Sequence, residues 1–191
     1  SKNIDTGAGL ERWCCIFQDV DSNFETDLFK PIIKHIEELS KYEYVGQKEF
    51  KIIADHIRAI TFAIADGACF ENVGRGYVLR RIIRRAARQG KILGIDGPFL
   101  SQLCDRVIDM SGKAYPELEE KRAMIKKVIA VEEEKFASTI DQGMKIIGGY
   151  IDELKKVGST VLDGEKAFKL HDTYGFPIDL TREILEESGL G

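Results

Sequence analysis

A mainly α fold, a helical bundle with one long central helix behind a short strand–turn–helix lead-in, follows from three observations. Apolar residues recur at three- and four-residue steps along almost the whole chain, the spacing of a helix with one buried face. Glycine and proline fall mainly between these runs. With 191 residues, 43% of them hydrophobic, the chain can bury one substantial core or two small ones.

The elements follow in order. Residues 2–12 read as a short strand, a turn carrying Gly7 and Gly9, and the start of a helix through Trp13, Ile16 and Phe17. A strand with no earlier partner strand suggests a piece of a larger protein. Phe24, Leu28, Phe29, Ile32, Ile33, Ile36 and Leu39 form an amphipathic helix, with Pro31 either in its first turn or delaying its start. Residues 50–65 carry Ile52, Ile53, Ile57, Ile60, Phe62 and Ile64 in a largely buried helix that ends near Gly67. After the turn at Gly97 and Pro98, Leu100, Leu103, Val107 and Ile108 mark another core-facing helix, closed at Gly112. Tyr115 and Pro116 open a long one, in which Ile125, Ile129, Phe136, Ile140, Ile147 and Leu154 advance at helical steps. It reads as a spine or a helical hairpin; the Gly148–Gly149 pair is a point where it could bend, and Glu132, Glu133 and Glu134 read as solvated surface. Beyond Gly158 come a short helix around Leu170, a polar loop at 171–177, and a closing helix from Ile178 capped by Asp179 or Thr181.

The densest chemistry lies at 71–91. Val78, Leu79, Ile82, Ile83, Ala86 and Ala87 make an apolar stripe, with Arg80, Arg81, Arg84, Arg85 and Arg88 on the remaining arc and Arg75 and Lys91 at either end. Gly74 and Gly76 suggest a turn before this helix and Gly90 a C-cap after it. The guanidinium fork binds phosphate bidentately and stays charged, so the helix is suited to an anionic partner. The alternative is a solvated face paired to acids elsewhere in the chain.

Composition excludes several classes. A formal net charge of −4 argues against general nucleic-acid stickiness, DNA included, and makes the local basic patch more informative. The four cysteines, Cys14, Cys15, Cys69 and Cys104, show no metal-ligand spacing and read as buried free thiols of a reducing, cytoplasmic compartment. No apolar run reaches membrane-spanning length. No nucleophile constellation, complete catalytic site or metal site is present, and His35 and His171 are isolated. His56 reads as a core histidine or a base, and Asp172 as a helix or turn cap.

Four stretches carry a resemblance: DTGAGLER at 5–12, ADHIRAITFAIADG at 54–67, GRGYVLRRIIRRA at 74–86 and DTYGFPIDLT at 172–181. Together, in this order, they are similar to the alanyl-tRNA synthetase family and span the chain nearly end to end. The resemblance implies that residues 1–20 are the remnant of a class II catalytic domain, and 21–191 the helical domain that recognises the tRNA acceptor stem. It also implies that the first two class II motifs and the editing and C-terminal domains lie outside this sequence. Residues 5–12 resemble the third class II motif with only two of its usual three glycines; its arginine, Arg12, would bind ATP phosphate in the intact enzyme. ATP and Mg are then cofactors of that enzyme, none is expected in this piece, and the piece alone is expected to be inactive. Asn72 and Asp172 align with the pair that reads a G·U wobble in the acceptor stem of tRNA(Ala). Arg75, Arg80, Arg81, Arg84, Arg85 and Arg88 would hold its backbone, and the long helix would bring Asn72 and Asp172 together. A different class of function, a helical protein-interaction module with its basic helix against an acidic partner, is the competing expectation.

Overall fold

The computed structural model describes Asn3 and residues 6–191. Among them the helices are α1 (Leu10–Gln18), α2 (Lys30–Ser40), α3 (Lys48–Ala65), α4 (Gly74–Ile92), α5 (Leu100–Ser111), α6 (Pro116–Glu120), α7 (Arg122–Val157), α8 (Gly164–Asp172) and α9 (Ile178–Glu187). A 3-10 turn at Asn23–Glu25 precedes α2. No strand occurs among the described residues; the expected strand falls largely on residues 2, 4 and 5, outside them. The chain forms two compact units, Ser1–Ala130 and Val131–Gly191, with α7 contributing to both.

In the first unit α3 is the centre. Ile53, Ile57, Ile60 and Ile64, spaced four, three and four apart, are almost wholly buried. Elements α2, α4, α5 and α6 pack around this helix, α4 most extensively. Its C-terminal carbonyl at Ala65 accepts a hydrogen bond from Lys121 Nζ at 2.6 Å, a cation placed where the helix dipole favours one. Pro31 sits in the first turn of α2, and helix formation starts only at Lys30, after the 3-10 turn at Asn23–Glu25 and a further turn over residues 26–29.

In the second unit the apolar stripe of α7 continues as Phe136, Ile140, Ile147, Ile151 and Leu154, buried together with Leu170 of α8 and Leu180, Ile184 and Leu185 of α9. The backbone at 160–162 pairs with the end of the chain: Leu162 N–H donates to Gly191 O and Gly191 N–H to Thr160 O, each at 2.7 Å. Asp163 caps α8 by accepting from the Glu165 N–H at 2.9 Å.

Several local expectations are corrected. Tyr115–Pro116 opens a separate five-residue helix before α7 rather than α7 itself. Glu132 and Glu133 are buried at 4% exposure each, and only Glu134 faces solvent. They stand three and four residues beyond Ile129 and three or four before Phe136, so helical periodicity carries them onto the buried stripe whatever their charge. Gly74 begins α4 instead of preceding it, and Gly90 lies inside the helix, with the left-handed stop supplied by Gly94 at φ 70°. Neither Asp179 nor Thr181 caps α9; Pro177 stands there, and the Thr181 hydroxyl donates back to the Pro177 carbonyl at 3.2 Å. Of the free cysteines only Cys104 is buried, Cys14 and Cys15 being half-buried and Cys69 exposed.

Candidate nucleic-acid interface

The basic helix sorts its cations by depth. Gly76, Leu79, Ile83, Ala86 and Gly90 form its buried line. Arg75, Arg81, Arg85 and Lys91 are exposed, and Arg80 and Arg84 are half-buried on the flank. Arg88 is buried at 4% exposure, which corrects its placement on the outer arc. Arg88, Gln89 and Gly90 are three consecutive buried residues, so this end of α4 is enclosed on more than one face and no amphipathic wheel applies there. Conversely Val78, assigned to the apolar stripe, is 52% exposed, on the same side of the helix as Arg81 and Arg85.

Asn72 is exposed on the segment that leads into α4. That segment lies directly on the helix because position 76 has no side chain. A Cβ on Gly76 would stand 2.5 Å from the Cys69 carbonyl and 2.7 Å from Glu71 Cβ. Arg80 reaches back along the helix: Nη1 donates to Asn72 Oδ1, and Nη2 donates to the Phe70 carbonyl at 3.4 Å. The structure thus joins two residues that the sequence placed in different roles.

Asp172 is the last residue of α8 and exposed, with its neighbours pinned from below. Phe176 is fully buried, its N–H donates to the Leu170 carbonyl at 2.9 Å, and its ring covers Gly143 of α7, where a Cβ would come within 2.0 Å of Cδ2. Gly175 takes φ 65°, the left-handed turn that swings Phe176 inward. Asn72 belongs to the first unit and Asp172 to the second. Each is presented by a segment seated on a helix glycine.

Arg12 is exposed on α1, its aliphatic stem folded near Gly9. The adjacent Glu11 is bonded to Arg58 Nη1 at 2.7 Å, and the Arg58 guanidinium lies 5.0 Å from the centre of the Phe29 ring. His56 is largely buried, and its Nδ1 lies 2.9 Å from Asp55 Oδ2. His35 is half-buried and His171 exposed. No group of three metal-ligating side chains occurs among the described residues, and no described helix is long and apolar enough to cross a membrane.

An exposed cationic helix face thus stands beside an amide held at its carbonyl. The family of tRNA synthetases class II (A) matches the chain over residues 1–191, which sets the class of protein. The chain is 56% identical over 194 residues to the alanine–tRNA ligase of Clostridioides difficile (strain 630). It is 52% identical to those of Thermoanaerobacter sp. (strain X514) and Halalkalibacterium halodurans, over 192 and 193 residues. These matches cover 98–100% of this chain and 22% of each relative. The chain belongs to the alanyl-tRNA synthetase family.

Proposed function

We propose that this chain is the tRNA-recognition segment of a ligase that attaches alanine to tRNA(Ala) using ATP, in the cytoplasm. Residues 1–20 are the end of the class II catalytic domain, and 21–191 is the domain that grips the acceptor stem. The exposed cations of α4 beside the held amide of Asn72 are the observation that carries this reading.

A-form RNA offers its shallow minor groove and its backbone to a protein, not its deep major groove. A G·U wobble leaves the guanine exocyclic amine unpaired in that groove. The Asn72 carbonyl and the Asp172 carboxylate are acceptors for it. Arg75, Arg81 and Arg85 supply sequence-blind attraction to phosphate, and Asn72 and Asp172 supply discrimination. Arg12 is the one residue of this chain assigned to ATP phosphate; its exposed guanidinium suits an anion, but a single cation does not make a nucleotide site. Mg, like ATP, is a cofactor of the intact ligase. The isolated piece is expected to be inert toward alanine and ATP.

A salt titration of the 191-residue chain with acceptor-stem minihelices tests the reading. Affinity should fall steeply with salt, and the G·U stem should bind more tightly than its G·C counterpart. Asn72→Ala and Asp172→Ala should each erode that preference by about five- to a hundredfold, the range for a lost base-specific contact. An unchanged G·U/G·C ratio in both variants would overturn the assignment. Preference for an acidic peptide over either RNA would favour the protein-interaction module instead.

A further inference from the structure

The fork of Arg80 is turned back onto the loop that leads into α4. Both terminal nitrogens are directed at the segment before the helix, Nη1 at Asn72 Oδ1 and Nη2 at the Phe70 carbonyl. Arg80 is half-buried and its Nε is closed to solvent, whereas Arg81, next along the helix, is exposed. A phosphate at Arg80 would have to displace contacts that fix the preceding loop.

We propose that Arg80 is a positioning residue for discrimination, holding the Asn72 amide with its carbonyl in reading geometry, rather than a contact to the RNA backbone. The inference rests on the proposed reading of G·U by Asn72. An amide carbonyl has two lone pairs and the guanidinium takes one, leaving the second for an incoming amine. A cationic donor at Oδ1 also decides which way the amide points, since turning it over would set its NH2 group against the guanidinium. An exposed asparagine otherwise exchanges rotamers within picoseconds to nanoseconds. Ordering it before RNA arrives removes part of the entropy that binding would have to overcome. Lysine cannot substitute, because its single ammonium lacks the fixed fork that spans Phe70 O and Asn72 Oδ1 together.

The two roles separate in one experiment, run on this chain and on the full-length ligase that carries it. Dissociation constants for G·U and G·C minihelices are measured against salt for wild type, Arg80→Lys, Arg80→Ala, Arg81→Ala and Asn72→Ala. Arg80→Lys should lose about tenfold of the G·U preference, with its salt dependence unchanged. Arg81→Ala should weaken both RNAs alike and lower the salt slope by about one. In the RNA-free protein, Arg80→Lys should move the Asn72 side-chain NH2 resonances toward those of a free asparagine. That second reading also serves if binding by the variant is too weak to measure. A wild-type G·U/G·C ratio in Arg80→Lys, or a lowered salt slope with an intact ratio in Arg80→Ala, would overturn the proposal. If Asn72→Ala itself keeps the wild-type ratio, it is the G·U reading that fails; if Asn72→Ala loses it and Arg80→Lys does not, only the positioning role fails.

Discussion

Glu11 and Arg58, 47 positions apart in sequence, meet at 2.7 Å and tie α1 to the central helix α3. The tie matters because α1 buries none of its residues, and Leu10, Trp13, Ile16 and Phe17 are 49–79% exposed. Two hydrogen bonds between Gln18 and Asp27 anchor the other end of the helix. Removing the pair by Arg58→Ala should release the start of α1 while costing global stability no more than about 1 kcal/mol, since both side chains are partly solvated. Trp13 is the only tryptophan and reports directly. Its fluorescence anisotropy should drop in Arg58→Ala with the melting temperature nearly unchanged; an unaltered anisotropy would show that α1 is held by other means.

The same pair sets a pH dependence. The Glu11 carboxyl is held below its ordinary 4.5, first by its own backbone N–H and then by the Arg58 guanidinium. A depressed carboxylate contributes its stabilisation in full above the unfolded value and loses it as pH falls through the folded one. Trp13 anisotropy should therefore stay flat from neutrality to about pH 5 and fall below the ordinary carboxylate range. In Glu11→Gln that acid transition should be absent.

The segment before α4 and the segment after α8 each rest on a helix glycine, and each can be displaced by one methyl group. Gly76→Ala would drive a Cβ into the Cys69 carbonyl, and Gly143→Ala would drive one into the Phe176 ring. Each should destabilise its own unit by about 1–3 kcal/mol through overpacking and reduce G·U discrimination. Gly149→Ala is the control. It lies in the same helix as Gly143, with nothing within 4 Å of its Cβ position. It should stabilise by about 0.5–1 kcal/mol. Thermal unfolding measures all three.

Arg88 and Arg85 should part company despite their shared chemistry. Arg88→Ala removes a buried guanidinium and should lower stability by about 1–3 kcal/mol. Arg85→Ala, on the exposed side, should leave the melting temperature within about 0.5 kcal/mol equivalent and weaken RNA binding instead.

Cysteine labelling reads the interface from another direction. Burial pushes the Cys104 thiol up to about 11, so it should react only on unfolding. Cys69 is exposed three positions before Asn72 and should label first in the free protein. Acceptor-stem RNA should slow that labelling, and labelling unaffected by saturating RNA would place the interface elsewhere.

The helical class, the core line of α3 and the long run of α7 were legible because each depends on spacing within one segment. Ile53 to Ile64 cannot lie on one face of any other regular structure and remain a core. The basic character of α4 was equally plain. Residue type misled where it competed with position: Glu132 and Glu133 were taken for surface on their charge, yet they occupy stripe positions and are buried.

What the sequence determined alone was periodic and local: which stretches are helices, which of them are amphipathic, and where cations gather. Only the tertiary structure decided which arginines remain at the surface, that Gly76 and Gly143 are seats for loops, and that Arg80 grips Asn72 while Arg58 grips Glu11. The physical reason is that helical periodicity fixes a side chain's direction about its own axis, whereas burial and hydrogen bonding depend on what another segment, tens of residues away, places beside it.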